Sequence, residues 1–277
     1  MAKIVTLIED TGRDDGLEKE HGLSFYIEAA GHKILFDTGA GNRFLTNAEA
    51  LDIDISQADT LVISHGHYDH GGGMEAFLEI NQKAGIYIRM DAFLPHYSLK
   101  QEGWTDIGIC SKLKNSPRMR FTEQEFQIDE GLFLFSNVKG RVLWPDSNQN
   151  LKVKIGDRYV QDDFAHEQNL VISEDGRKIL VAGCAHNGII NVLEHYRQLK
   201  NEMPDLVVGG LHLTNPRAGT SIEPEIVREI GDRLSAYPCS YMVCHCTGEE
   251  AYGILRRKLG DRIQYIRTGD VIHLSLI

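Results

Sequence analysis

Short apolar runs at residues 4–8, 23–28 and 33–36 open the chain and predict strands, with Ala30, Gly31 and His32 as a hairpin turn between the last two. A helical period follows near 42–51. The continuous apolar run Thr60-Leu61-Val62-Ile63 then reads as a short buried strand, and helical spacing returns at Met74, Phe77 and Leu78. Residues 85–89 form another predicted strand. From about 91 to 163 the regularity fails: this stretch holds Trp104, Trp144, three of the seven prolines and strand-like pieces such as 131–135. It reads as a loop-rich, lid-like insertion of loops and hairpins. Alternation resumes at 169–172 and 178–182, joined by the turn Glu174-Asp175-Gly176-Arg177. Helices at about 188–200, 223–236 and 249–258 and strands at 205–209 and 240–243 complete the pattern. Strands interleaved with helices predict an α/β chain, and no internal repeat is evident.

Where the run 60–63 ends, the pattern changes character. Ser64-His65-Gly66-His67-Tyr68-Asp69-His70-Gly71-Gly72 packs three imidazoles and a carboxylate into the six residues 65–70. Imidazole nitrogen and carboxylate oxygen are the usual ligands of zinc, and they also suit manganese and iron. His65 and His67, two apart, can point to one side of the loop, while Asp69 and His70 lie one turn on and can face a second ion. The spacing therefore predicts two adjacent divalent metal ions, zinc first, with manganese or iron as alternatives. Gly66, Gly71, Gly72 and Gly73 let the backbone turn sharply beside them. An ordinary polar loop carries a single histidine, and four ligand-type residues rarely cluster ahead of a helix.

Composition narrows the setting. At 277 residues, 42% hydrophobic and 25% charged, the chain can bury a large core. A single domain over 1–277 is expected, because candidate ligands from position 65 to 245 have to converge. A net charge of −11 argues against a broad nucleic-acid surface, so an anionic substrate would be recruited locally by the metals. No basic-plus-apolar leader is present, and no apolar run approaches the roughly 20 residues of a membrane helix. No membrane association and a cytoplasmic location are the expectations. Five cysteines without an export signal read as reduced thiols.

The pattern His-x-His-x-Asp-His, here His65-Gly66-His67-Tyr68-Asp69-His70, resembles the metallo-β-lactamase superfamily, and Ile34-Leu35-Phe36-Asp37-Thr38-Gly39 resembles its Asp-Thr-Gly segment. The resemblance implies an α/β (α+β) fold, a four-layer αββα sandwich of two mixed sheets flanked by helices, with a dinuclear site at one edge between the sheets. It also implies that Asp37 hydrogen-bonds the ligand loop and orients it. Further ligands are expected where strands end: His186 with His65 and His67 for one ion, His245 with Asp69 and His70 for the other. Cys244 and Cys246 flank His245, and strand alternation points both away from the site. The superfamily's bridging carboxylate has no counterpart, since Asp205 begins its strand and His212 stands at the exit. His212 is then either a ligand or a substrate contact, and with Asp69 it is a candidate catalytic residue. An imidazole in place of an anionic bridge leaves positive charge for phosphate or diphosphate oxygens.

Glu20-His21-Gly22-Leu23-Ser24, Gly209-Gly210-Leu211-His212 and His245-Cys246-Thr247-Gly248 resemble the subgroup that contains the archaeal dihydropterin–ribofuranosylaminobenzene phosphate synthases and their bacterial relatives. That resemblance implies a small phosphorylated substrate, a pterin diphosphate among the candidates, and C–N bond formation with an aryl amine as diphosphate leaves. A dinuclear hydrolase of phosphodiesters, thioesters or lactones is the alternative, and a non-catalytic ligand-binding protein is the third reading. Thr247 and Gly248 open a helix, where free N–H groups favour an anion, and are candidate substrate contacts. Lys112, Lys114, Arg118 and Arg120 read as a solvated surface run, with a grip on phosphate from the insertion as the alternative. Trp104 and Phe126 read as packing residues, with cover for a pterin ring as the alternative. His32, His195 and His273 occupy a turn, a helix and a terminal strand, whereas the pattern gives His96 and His166 no place. The sheet edges that the resemblance implies and the irregular insertion offer surfaces for self-association.

Overall fold

A computed structural model describes residues 3–13, 16–215 and 220–274. Among these residues two seven-stranded mixed sheets pack face to face. The first has the spatial order Val271–His273, Lys3–Ile8, Ser24–Ala29, His32–Phe36, Thr60–Val62, Gly85–Ile88, Met119–Phe121, antiparallel up to His32–Phe36 and parallel beyond it. The second has the order Ile263–Tyr265, Ser240–Val243, Leu206–Gly209, Arg177–Val181, Gln168–Glu174, Leu132–Ser136, Glu125–Gln127. Its first four strands are parallel and the rest antiparallel.

Alternation decides what each side chain meets. In His32–Phe36, Ile34 and Phe36 enter the cluster between the sheets, while Leu35 faces out. In Leu206–Gly209, Leu206 and Val208 enter that same cluster and Val207 faces out. The helices are α1 (Arg43–Ala50), α2 (Tyr68–Gly71), α3 (Met74–Ile80), α4 (Ile189–Lys200), α5 (Pro224–Ser235) and α6 (Glu249–Leu259). From α1 and α3, Phe44, Ala48, Met74 and Phe77 cover Leu35 and Leu61 on the outer face of the first sheet. From α4, α5 and α6, Leu193, Tyr196, Leu234 and Leu255 cover Leu180 and Val207 on the second. Each fully buried aliphatic or aromatic side chain of this kind contributes about 1.5–3 kcal/mol. The result is the expected four-layer αββα sandwich. No helix among the described residues is long and apolar enough to cross a membrane.

The stretch 91–163 is more regular than its sequence pattern suggests. It gives Met119–Phe121 to the edge of the first sheet and Glu125–Gln127 and Leu132–Ser136 to the edge of the second. Its remaining strands form a third, antiparallel sheet in the order Arg158–Gln161, Leu151–Ile155, His96–Lys100, Gly103–Asp106. These strands are short and serve a small separate core of Ile107, Leu151, Phe164 and Trp144, which explains why no long period shows. Trp104 stacks on Tyr159 with ring centroids 5.0 Å apart, and Phe126 packs on Tyr87 at 5.9 Å. Both are packing residues, and neither covers the site.

Candidate metal centre

Four strands end at one place. Thr60–Val62 leads into residues 64–70, Arg177–Val181 into Cys184 and His186, Leu206–Gly209 into His212, and Ser240–Val243 into His245. Three of these exits turn through a left-handed non-glycine residue: Ala185 at φ 52°, His212 at φ 51° and His245 at φ 50°. Asp37, at φ 58°, does the same after His32–Phe36. Such conformations cost about 1–3 kcal/mol each and persist where packing over-determines them. Here they re-aim the chain so that side chains from different strands converge. Gly66 and Gly183 allow close approaches: a Cβ would clash with the Ala92 carbonyl oxygen at the first and with Ser64 Oγ at the second.

Hydrogen bonds behind the rings fix their orientation. Asp37 accepts from the Ser64 N–H (2.7 Å), the Ser64 hydroxyl (2.6 Å) and His70 Nδ1 (2.7 Å), which ties it to the loop 64–70. With its hydrogen given to Asp37, the Ser64 hydroxyl accepts from His65 Nδ1 at 2.8 Å. His186 Nδ1 donates to Asn148 Oδ1 (3.2 Å), and the Asn148 amide donates to the His186 carbonyl (2.7 Å). His245 Nδ1 donates to Asp10 Oδ1. Each Nδ1 therefore carries a hydrogen, and each Nε2 turns inward as a potential donor to a metal.

The inward nitrogens meet in pairs. His65 Nε2 lies 3.3 Å from His186 Nε2, and His70 Nε2 lies 3.3 Å from His245 Nε2. Two lone pairs at that separation repel unless a proton or a cation stands between them. Two nitrogens about 2.0–2.1 Å from one tetrahedral ion are about 3.3 Å apart, so both pairs fit a divalent metal. Asp69 Oδ2, 3.6 Å from His245 Nε2 and 3.8 Å from His70 Nε2, joins the second pair. His67 lies edge-on to His65 and His186, ring centroids 4.6 and 4.8 Å away, and its buried Nε2 has no partner. His212 is only 5% exposed, neither of its ring nitrogens is paired, and its ring lies 4.2 Å from that of His186. A buried polar atom left unpaired costs about 1–3 kcal/mol. The orphaned lone pairs and the chemistry of the donor set suit a cation.

The groups differ in their affinity for protons. Burial and the neighbouring imidazoles hold His65, His67 and His186 well below the ordinary histidine pKa, and so neutral, the state a metal ligand requires. Burial also works to lower His245, but the Asp10 carboxylate and other negative groups outweigh it and push it up to about 10.

The structure thus brings together His65, His67, Asp69, His70, His186, His212 and His245. Thr247 and Gly248 do not line the cavity above them. Thr247 is fully buried, and its hydroxyl accepts the Leu211 N–H at 3.0 Å, which ties the His212 loop to the His245 loop. A Cβ on Gly248 would meet the Thr214 methyl at 2.5 Å, so that corner is filled by protein. The alternation argument holds for Cys244, which sits in the core between the sheets. It fails for Cys246, which reaches the cavity wall because His245–Thr247 is a 3-10 turn and not extended strand. Cys184 stands at the centre of the site, its Sγ 3.1 Å from His70 Nε2. No alternation marks it, because Ala185 turns through left-handed backbone between Cys184 and His186.

Other groups support the ligands from outside residues 65–70. Glu9 accepts the His245 N–H at 2.9 Å, and Glu167 accepts the N–H groups of His186 (2.6 Å) and Asn187 (3.0 Å). His21 lies between Asp10 (2.9 Å) and Asp69 (3.4 Å). His96 and His166 both bond Asp162, at 3.0 and 3.2 Å, with ring centroids 5.6 Å from that of His67. Phe164, from the small third core, stacks on His186 with centroids 4.6 Å apart. The cavity opens over Asp69 and His212 and takes part of its wall, Ser98 and Lys100, from the third sheet. Lys112, Lys114, Arg118 and Arg120 lie outside it, and Arg118 is occupied with Asn81 and the face of Phe77.

The metallo-beta-lactamase superfamily domain matches residues 18–159, just over half of the sequence. An uncharacterised protein of Methanocaldococcus jannaschii is 30% identical over 235 residues, covering 84% of this chain and 86% of its own. The same organism's 7,8-dihydropterin-6-methyl-4-(beta-D-ribofuranosyl)-aminobenzene-5'-phosphate synthase is 26% identical over 98% of this chain and 96% of its own. The crystal structure of Tm1679, described as a metal-dependent hydrolase of the beta-lactamase superfamily, superposes with a TM-score of 0.83 at 29% identity over 99% of both chains. The domain match and the fold shared along almost the whole chain agree with the ligand loop at the strand exit: this chain belongs to the metallo-beta-lactamase superfamily, whose members are mostly metal-dependent enzymes.

Proposed function

We propose that the protein is an enzyme that uses two divalent metal ions, zinc foremost, to act on a small phosphorylated substrate by displacing diphosphate from carbon with an aryl amine. One observation carries this reading: the cavity over the donor groups is walled by Lys100 and by an unpaired, buried His212, and Asp69 is the only carboxylate lining it among the described residues. Such a wall attracts phosphate oxygens. Bound divalent ions supply Lewis acidity to the leaving diphosphate. Lys100 adds a cation from the third sheet, and His212 can donate from a ring nitrogen that no protein group occupies. His21, raised in pKa by its bond to Asp10, adds positive charge at the mouth. Ile107 and Leu151 give that wall an apolar lining, which limits the competing attack of water. Similarity to the archaeal synthase over 98% of this chain supports the transfer.

Similarity to Tm1679 supports a second reading, hydrolysis of a phosphodiester, thioester or lactone. The test supplies metal-loaded protein with a hydroxymethyl-dihydropterin diphosphate, with and without an aryl-amine acceptor, and separately with an ester panel. Diphosphate release that requires the amine is the expected outcome. Turnover of esters by water alone, with no amine-dependent release, would replace transfer by hydrolysis.

A further inference from the structure

We propose that Cys184 is the anionic protein ligand shared by both metal positions, a bridging thiolate standing where no carboxylate is available; this rests on the two-metal reading above. Cys184 Sγ belongs to three sets of donor atoms, each within 4.8 Å of one another: with His65 and His186, with His70 and His245, and with His212 and Cys246. No carboxylate belongs to any of these three sets. One sulfur is therefore common to the two imidazole pairs that face each other at 3.3 Å.

The local hydrogen bonding marks the same position. His70 Nδ1 is committed to Asp37, so His70 Nε2 accepts, and the Cys184 thiol is aimed at it from 3.1 Å. An ion taken up in that gap keeps both donors: the thiol proton leaves to solvent, and the sulfur becomes a thiolate. Metal–sulfur and metal–nitrogen distances of about 2.3 and 2.0–2.1 Å place S and N about 3.5 Å apart on a tetrahedral ion. A few tenths of an ångström separate that from the geometry found. A second feature points the same way: His212, buried beside this sulfur, offers two unpartnered ring nitrogens.

Cys246 has a different task. Its Sγ accepts the His212 N–H at 3.2 Å and faces the Cys184 carbonyl at 3.7 Å, so it shapes the loop around the bridge. The surroundings of Cys184 are equally fixed, with Gly210 N–H bonded to the Gly183 carbonyl (2.8 Å) and Glu167 gripping the His186 N–H. These bonds fix the backbone that carries the sulfur.

The test loads the full-length protein with cobalt(II) and follows absorbance and metal content together. The wild type should bind two ions and show an intense near-ultraviolet sulfur-to-cobalt charge-transfer band that grows through both equivalents. Cys184→Ser should lose the band, and Cys246→Ser should keep it. Cys184→Asp should keep two ions without the band and an unchanged circular dichroism spectrum, which separates loss of the ligand from unfolding. A wild type with two ions and no band, or a band that survives Cys184→Ser, overturns the assignment and leaves the two-metal reading intact. Saturation of the band at one equivalent reduces Cys184 to a terminal ligand and overturns the bridge. Fewer than two ions in the wild type overturns the two-metal reading and the bridge with it.

Discussion

His65 and His186 hand their Nδ1 hydrogens to neutral oxygens, those of Ser64 and Asn148, whereas His70 and His245 hand theirs to the carboxylates of Asp37 and Asp10. The inward geometry is the same, a 3.3 Å gap between Nε2 atoms in each pair. What differs is the charge one shell further out. A carboxylate behind an imidazole raises its basicity and its strength as a ligand. The same carboxylate also strengthens the proton's hold. The first pair is therefore a neutral cage that excludes protons, whereas at His245 in the second a cation and a proton compete.

Removing both His65 and His67 should have the largest effect: the double alanine variant loses the first metal equivalent altogether, as measured by metal analysis after gel filtration. Unchanged stoichiometry would sink the assignment of the first group. Asp10→Asn comes next. It should weaken the second position roughly 10- to 100-fold and leave the first unchanged in a chelator competition, the range expected for a group that supports a ligand histidine. Equal weakening of both positions would erase the contrast between them.

The proton competition gives the third prediction. His245 is protonated below about pH 10 in metal-free protein, so a metal at the second position displaces that proton, and its affinity falls as pH falls. Between pH 9 and pH 6 the His245 proton should make the affinity at the second position fall about tenfold more per unit than at the first, beyond the Cys184 thiol proton that the shared sulfur releases for both. Parallel slopes in calorimetric titrations would show that both groups bind protons alike. The smallest effect belongs to Asn148→Ala, which removes a neutral partner from His186 and should weaken the first position by less than about tenfold. A larger loss there than in Asp10→Asn would invert the ranking.

The residues 65–70 were legible because the ligands are contiguous and follow an apolar strand. Asp37, His186 and His245 were legible because each stands at a strand exit that the apolar runs mark. The left-handed turns at Ala185, His212 and His245 are invisible to periodicity, and they end the alternation on which the reading of Cys246 rested. Thr247 shows the same limit: its helix-opening position is real, but its hydroxyl is already taken by Leu211. Asn148, Glu167 and Glu9 had no local signal, because their partners lie 38, 19 and 236 residues away in sequence. The third sheet leaves no period in the sequence for a related reason: its short strands pair across gaps that no period spans.

The bond from Asp10 to His245 joins positions 235 residues apart, and Glu9 next to it holds the His245 backbone. Biogenesis has to reckon with that distance. At about 5–20 residues per second, the histidines of residues 65–70 leave the ribosome on the order of ten seconds or more before His245 does. A nascent chain in that interval shows three imidazoles without the strand that completes the second cage. On the two-metal reading proposed above, capture of an ion at that position would be a closing step of assembly, because it requires Asp10 and His245 to have met.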